Sequence, residues 1–216
     1  MKKLVLFDLD GTLLNTINDL GTSCNYALEK CGFKPHPLNA YPFMVGNGVR
    51  KLIQRAQPTA SEAEIDRITA AFKEYYDHHN CDTTVPYNGI HDLLRRLTEA
   101  GVAVAVTSNK YEAAVIDIVR HYFPDIPFVA LRGQIEGRPV KPDPSIVFSV
   151  LNDHPTPKAD VLYVGDSAVD IETARRACVE SVGVTWGFSP VSHLRNAFAD
   201  YIVSTPAEIL KIAGIG

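Results

Sequence analysis

Apolar residues along this chain fall into short uninterrupted runs separated by longer stretches of helical spacing. The runs are Leu4–Phe7, Val102–Val106, Val161–Val164 and Val182–Val184, with a weaker one at Tyr201–Val203. Runs without polar alternation predict strands buried on both faces, as in a parallel sheet. Between them Leu93, Leu94 and Leu97 lead to Gly101, a residue suited to ending a helix. Val115, Ile118, Val119 and Tyr122 form a second stripe. Asp143-Pro144 predicts an N-cap with proline at the first helical position, opening a helix that carries Val147, Val150 and Leu151. Strand and helix alternate, which predicts an α/β fold.

One interval breaks the alternation. A strand–helix–strand crossover takes about 30 residues, yet 94 residues separate Phe7 from Val102. A helix at 89–100 suffices for the crossover, and the surplus reads as helical throughout. Ile17, Leu20, Cys24, Leu28 and Cys31 keep a helical period up to Gly32, and Val49, Leu52, Ile53 and Ala56 form a shorter stripe. Ser61 and Glu64 make a capping box ahead of Ile65, Ile68, Phe72, Tyr75 and Tyr76. The predicted division is an α/β core of residues 1–14 and 86–216 with an all-helical insert at 15–85. Asn15–Asn18 and Asp82–Pro86 are the expected flexible joints.

Length agrees with that division. For 216 residues the prior of ~150 residues per domain gives about 1.4 domains. A folded monomer of this size exposes roughly 9,800 Å² and has room for a sizeable core. Twenty-one Lys and Arg against 25 Asp and Glu give a net charge of −4 without a basic run, which argues against nonspecific nucleic-acid binding. No apolar run approaches the ~20 residues that span a bilayer. The four apolar residues after Lys2-Lys3 are too few for a signal-peptide core of about 7–15. A soluble cytoplasmic protein is expected. Cys24 and Cys31 lie about 10.5 Å apart along a helix axis, too far for a disulfide. With Cys81 and Cys178 they read as packing residues in a reducing compartment. His78, His79 and Cys81 lack a second pair at zinc spacing and read as a helix end with surface histidines.

Chemistry concentrates at the strand ends. Asp8-Leu9-Asp10-Gly11-Thr12 follows the first strand, and Thr107-Ser108-Asn109-Lys110 the second. Gly165-Asp166 follows the third and leads to Asp170, while Lys141-Pro142 lies on the loop before it. Ligands of open parallel sheets bind outside the carboxyl ends of the strands, so these segments converge if the strands are neighbours. Asp8, Asp10, Asp166 and Asp170 would then bring four negative charges together. Two such charges ~4 Å apart at an effective dielectric of about 20 repel by roughly 4 kcal/mol. A divalent cation with Lys141 relieves this, and an all-oxygen site with open positions suits Mg²⁺ together with a phosphate. Two carboxylates across one turn can divide nucleophilic and proton-transfer work when their surroundings separate their pKa values. Gly11 permits the sharp turn and is expected, with Ser108, Asn109 and Lys141, to border the phosphate.

The ordered set D-x-D-G-T, Ser-Asn, Lys-Pro and G-D-x-x-x-D resembles the haloacid dehalogenase superfamily of phosphohydrolases over nearly the whole chain. That resemblance implies a Rossmann-like doubly wound parallel sheet, with the helical insert as an α-helical cap. It implies that Asp8 is a nucleophile forming an aspartyl-phosphate. Asp10 would protonate the leaving oxygen and then activate water, with its backbone carbonyl on Mg²⁺. Ser108 and the amide of Asn109 would hold phosphoryl oxygens, Lys141 would neutralise charge, Asp166 would ligate Mg²⁺ and Asp170 would support that site. Thr107 and Ser108 both fit the hydroxyl position, and the following Asn109-Lys110 favours Ser108. The dehalogenases usually lack the second acid, so Asp10 points to the phosphatase branch.

Within that family, Phe43–Leu52 looks most like the cap segment of phosphoglycolate phosphatases. The amides around Gly46, Asn47 and Gly48, with Arg50, are expected to meet the carboxylate of a small phosphorylated metabolite. A surface role for Arg50 is the competing expectation. Trp186-Gly187-Phe188 follows a strand and reads as core packing ahead of a loop near the site, and Phe72, Tyr75 and Tyr76 as cap core or a wall of the cleft. A sugar-phosphate mutase of the same superfamily is the nearest alternative activity. A phosphoacceptor receiver domain fits less well, because of Asp10 and the helical insert.

Overall fold

The computed structural model describes residues 1–216. The apolar runs become strands β1 (Leu4–Phe7), β4 (Ala103–Tyr111), β6 (Val161–Gly165), β7 (Glu180–Val184) and β8 (Tyr201–Val203). They are joined by β5 (Ala130–Gln134) in one six-stranded sheet of order β5-β4-β1-β6-β7-β8, with every neighbouring pair parallel. All four residues of β1 and all five of β6 are buried. From β1 the chain winds outward through β4 to β5, then returns to the far side of β1 and winds the other way through β6, β7 and β8. The switch in direction places the ends of β4, β1 and β6 side by side, where open α/β sheets bind ligands.

The pleat divides β1 between two cores. Val5 and Phe7 belong to a cluster of 39 buried residues that continues into the helical insert. Leu4 and Leu6 face a cluster of 11, which includes Val147 and Val150 of α6 (Ser145–Asp153) and Ala174 and Ala177 of α7 (Ala168–Ala177). Helices α4 (Ile90–Glu99), α5 (Glu112–Tyr122), α8 (Val191–Asn196) and α9 (Pro206–Ala213) complete the layers. The folded chain exposes 9803 Å², and no helix is long and apolar enough to cross a membrane.

The insert contains α1 (Ile17–Lys30), a 3-10 turn at Leu38–Phe43, α2 (Val49–Ala56) and α3 (Glu62–His79). The capping box of Ser61 and Glu64 opens α3 as its sequence predicts, and His79 at its end pairs with Asp82 at 2.8 Å. The two expected flexible joints are instead bonded to each other. Strands β2 (Leu14–Asn15) and β3 (Val85–Pro86) pair antiparallel. Next to them the buried Asp19 carboxylate accepts the N–H groups of Thr83 and Thr84 at 3.0 and 2.9 Å, along with both threonine hydroxyls. Two details also differ at the helix ends. Helix α6 begins at Ser145 rather than Pro144, with the Asp143 carboxylate accepting the Ser145 N–H at 2.9 Å. All four cysteines are free, but Cys178 is exposed where α7 ends and does not pack.

Candidate active site

Where β1 ends, Asp8 emerges with its N–H bonded to the Val164 carbonyl of β6 at 2.9 Å. The chain turns at Gly11, whose φ of +85° favours glycine. Any Cβ there would also collide with the Asp166 carboxylate. Asp166 follows β6 directly, and Asp170 sits in the first turn of α7, where it completes a capping box with Ser167. Lys141 enters from the loop between β5 and α6. One oxygen each from Asp8, Asp166 and Asp170 lies within 4.8 Å of the others.

Lys141 is the hub of this cluster and is 2% exposed. Its Nζ lies 2.8 Å from Asp8 Oδ1 and 2.7 Å from Asp170 Oδ1, and it donates to the Thr107 carbonyl at 3.0 Å. The approach to Asp8 Oδ1 is close but poorly aligned, so that buried oxygen keeps no well-formed hydrogen bond. Asp170 Oδ2 accepts from the Ser167 N–H and hydroxyl at 3.1 and 2.6 Å. Both oxygens of Asp170 are thus engaged, and Asp8 and Asp166 remain the better donors for a cation.

Burial and the neighbouring Asp170 push the Asp8 carboxyl up to about 7. Burial, with the charges of Asp170 and Asp8, holds Asp166 well above the usual carboxylate range. Burial opposes the charge on Lys141, but Asp170 and Asp8 outweigh it and keep the ammonium well above the usual lysine range. Fully ionised, the four carboxylates, Asp10 included, would outnumber the two ammonium groups of Lys141 and Lys110 by two charges, and burial disfavours that state without a cation. The all-oxygen donor set, the close approach of the three acids and the charge that burial leaves uncompensated fit Mg²⁺.

A pH dependence follows. A carboxyl raised from 3.8 to about 7 on folding binds protons in the folded state that the unfolded chain has lost. Metal-free stability therefore falls as pH rises across that window. A cation replaces those protons. Saturating Mg²⁺ is expected to raise the Tm more at about pH 8 than at about pH 5.5. A shift that is equal at both, followed by thermal unfolding, would contradict the site.

The second strand-end segment belongs to the strand itself. Strand β4 runs on through Thr107-Ser108-Asn109-Lys110, with a shift of register against β5 between Thr107 and Tyr111. Alternation then settles which hydroxyl faces the cleft. Thr107 donates to the Tyr163 hydroxyl at 2.9 Å, inside the protein, whereas Ser108 lines the cleft. Asn109 also lines the cleft. Its side chain accepts the Lys141 N–H at 2.8 Å and donates to the carbonyls of Lys141 and Gly46, both at 3.2 Å. It therefore fixes the Lys141 loop and touches the helical insert.

Lys110 and the 186–188 segment also reach the site. Lys110 is buried and pairs with Asp10 Oδ2 at 3.0 Å, while Thr16 donates to Asp10 Oδ1 at 2.8 Å. The Asp10 carboxylate is thus turned away from the three-acid cluster, which leaves its carbonyl as the group that the resemblance places on Mg²⁺. In Trp186-Gly187-Phe188 the Trp186 ring packs against the core as expected, and the segment also reaches the site. The Phe188 N–H donates to Asp166 Oδ2 at 2.7 Å and Trp186 Nε1 to the Thr12 carbonyl at 3.0 Å. Only glycine fits at 187, because a Cβ would strike both Asp166 and the Gly11 carbonyl.

The insert roofs the cleft with Leu20, Val45, Val49, Leu52, Phe72 and Tyr76. Gly46 and Gly48 line it as expected, but Asn47 and Arg50 do not. Asn47 accepts from Arg55. Arg50, with its side chain 45% exposed, is held by Glu62 and Asp66 on α3. Two carboxylates beside it on the insert occupy its guanidinium, so the surface role is the one the structure displays.

Residues 5–184 match the haloacid dehalogenase-like hydrolase family. The chain is 30% identical to phosphoglycolate phosphatase of Haemophilus influenzae, with 97% of each chain covered. It is 32% identical to that of Mannheimia succiniciproducens, again with 97% of each covered. The crystal structure of a predicted phosphoglycolate phosphatase from Haemophilus somnus superposes with a TM-score of 0.91 at 30% identity, covering 98% of this chain and 97% of that one. Strand order, converging acids and sequence similarity agree, and the chain belongs to the haloacid dehalogenase-like hydrolase family.

Proposed function

We propose that this chain hydrolyses 2-phosphoglycolate to glycolate and phosphate in a Mg²⁺-dependent reaction that passes through an aspartyl-phosphate on Asp8. The chain is a phosphoric monoester hydrolase of its family, and the curated relatives named above supply the substrate. The observation that carries the mechanism is the buried cluster of Asp8, Asp166 and Asp170, of which Asp8 and Asp166 reach the floor of the cleft, with Asp10 two residues from Asp8.

An Asp8 oxygen attacks phosphorus as the bond to the bridging oxygen breaks, and Asp10 in its acid form delivers a proton to that oxygen. Asp10, now a carboxylate, takes a proton from water, which attacks the acyl phosphate and returns Asp8 to its carboxylate. Ser108 and the Asn109 amide hold phosphoryl oxygens, and Lys141 balances charge on Asp8 throughout. Asp8 and Asp166 would hold Mg²⁺, which supplies positive charge to the transferring phosphoryl group. The apolar roof excludes bulk water from the acyl phosphate.

The test is inorganic-phosphate release from a panel of small phosphomonoesters. Release is expected to be greatest with 2-phosphoglycolate and to vanish with EDTA. Transfer of phosphate between sugar positions without release would overturn the reading in favour of a mutase.

A further inference from the structure

We propose that Lys110 and Tyr76 form the carboxylate-binding end of the cleft and select phosphomonoesters whose carboxylate stands two bonds from the bridging oxygen. This rests on the phosphatase reading above and assigns the group that recognises the far end of the substrate.

Lys110 supplies the one ammonium among the side chains that line the cleft. It comes from β4 of the core, and its side chain is 3% exposed. Its Nζ donates to the Tyr76 hydroxyl at 2.9 Å and lies 4.7 Å from the centre of that ring. Tyr76 belongs to α3 of the insert and is fully buried. Burial holds its phenol well above the usual range, so it keeps its proton. That proton has no acceptor in the protein, since the only hydrogen bond of the hydroxyl is the one it accepts from Lys110. Two donors from two halves of the molecule thus meet beneath Leu20, Val49, Leu52 and Phe72. Apolar surroundings strengthen a charge-assisted hydrogen bond made there.

Position selects the ligand. Lys110 Nζ is 3.0 Å from Asp10 Oδ2, and Asp10 is the group that protonates the bridging oxygen. The ammonium is therefore one hydrogen bond beyond the leaving-group end, where an α-carboxylate lies when the phosphoryl group is on Asp8. An ammonium has three donors, so an incoming carboxylate can share Lys110 with Asp10 and accept the free Tyr76 proton. Arg50, the other cation considered for this work, is held on α3 by Glu62 and Asp66.

The experiment compares kcat/KM for 2-phosphoglycolate with that for 2-hydroxyethyl phosphate, which has a similar length and a neutral end. Wild type, Lys110→Met and Tyr76→Phe are assayed with saturating Mg²⁺. Lys110→Met is expected to lower the ratio of the two values about 10- to 100-fold, and Tyr76→Phe about 3- to 10-fold. An equal loss on both substrates would assign Lys110 to Asp10 alone and overturn the carboxylate role, as would an unmoved ratio. Tyr76→Phe keeps the ring packing and carries the test if Lys110→Met does not fold. Wild type that releases phosphate from neither compound would defeat the phosphatase reading itself, a different result from release with an unmoved ratio.

Discussion

Asp8→Asn is expected to lower kcat by about 10⁴-fold or more while leaving the fold intact. The amide cannot form the acyl phosphate, and no other carboxylate stands at the end of β1 with an unengaged oxygen facing the cleft. The same change should stabilise the metal-free protein. Folding already holds the Asp8 carboxyl near 7 against 3.8 in its ordinary state. Ionising it at about pH 8 therefore costs stability that a neutral amide does not. Phosphate release and thermal unfolding in EDTA give the two readouts. A wild-type rate in the variant would remove Asp8 from the nucleophile position.

Lys141→Met is the second large effect, and its sign on stability is opposite. The lysine is buried between Asp8 and Asp170, whose charges hold it well above the usual lysine range. Deleting it leaves the three-acid cluster without its cation. Breaking a buried pair in this way costs about 3–5 kcal/mol, which for a chain of this size lowers the Tm by roughly 6–20 °C. Activity should fall as well, because the charge on Asp8 is no longer balanced during attack. Adding Asp170→Asn to Lys141→Met should restore part of the Tm without restoring turnover, since it removes repulsion but no catalytic charge returns. A single variant that melts within a degree or two of wild type would show that the cluster is less charged than its geometry implies.

Much of this architecture is legible in the residues. Continuous apolar runs such as Leu4–Phe7 and Val161–Val164 find strands because both faces of a central parallel strand are dry. Ser61 and Glu64 mark the start of α3 because a capping box is a local device. The same signals fail at the sheet edge. Ala130–Gln134 reads Ala-Leu-Arg-Gly-Gln, and only Ala130 is buried, so nothing in its pattern separates β5 from a loop. The extension of β4 was hidden for a related reason. Ser108, Asn109 and Lys110 are polar and yet buried, since their partners are the site's own charges rather than apolar neighbours.

Contacts that depend on tertiary approach were the hardest to read. Nothing local to Gly187 reveals that Asp166 and the Gly11 carbonyl crowd it. The pairing of Lys110 with Asp10 joins residues a hundred positions apart. Conversely, Arg50 looked suited to an anion because of its sequence neighbours, but Glu62 and Asp66 come back along α3 to take it. The Asn15–Asn18 and Asp82–Pro86 segments, rich in small and polar residues, read as flexible. Strand pairing and the four donors around Asp19 hold them together.

The central claim is covalent chemistry on Asp8, and acid-quench trapping tests it most directly. Wild-type protein is mixed with phosphate-labelled 2-phosphoglycolate and Mg²⁺, quenched in acid within the first turnover and digested for peptide mapping. The account predicts a labelled acyl phosphate on the peptide containing Asp8, formed before phosphate appears and absent from Asp8→Asn. Rapid phosphate release with no label on the protein, or with label on another residue, would contradict it.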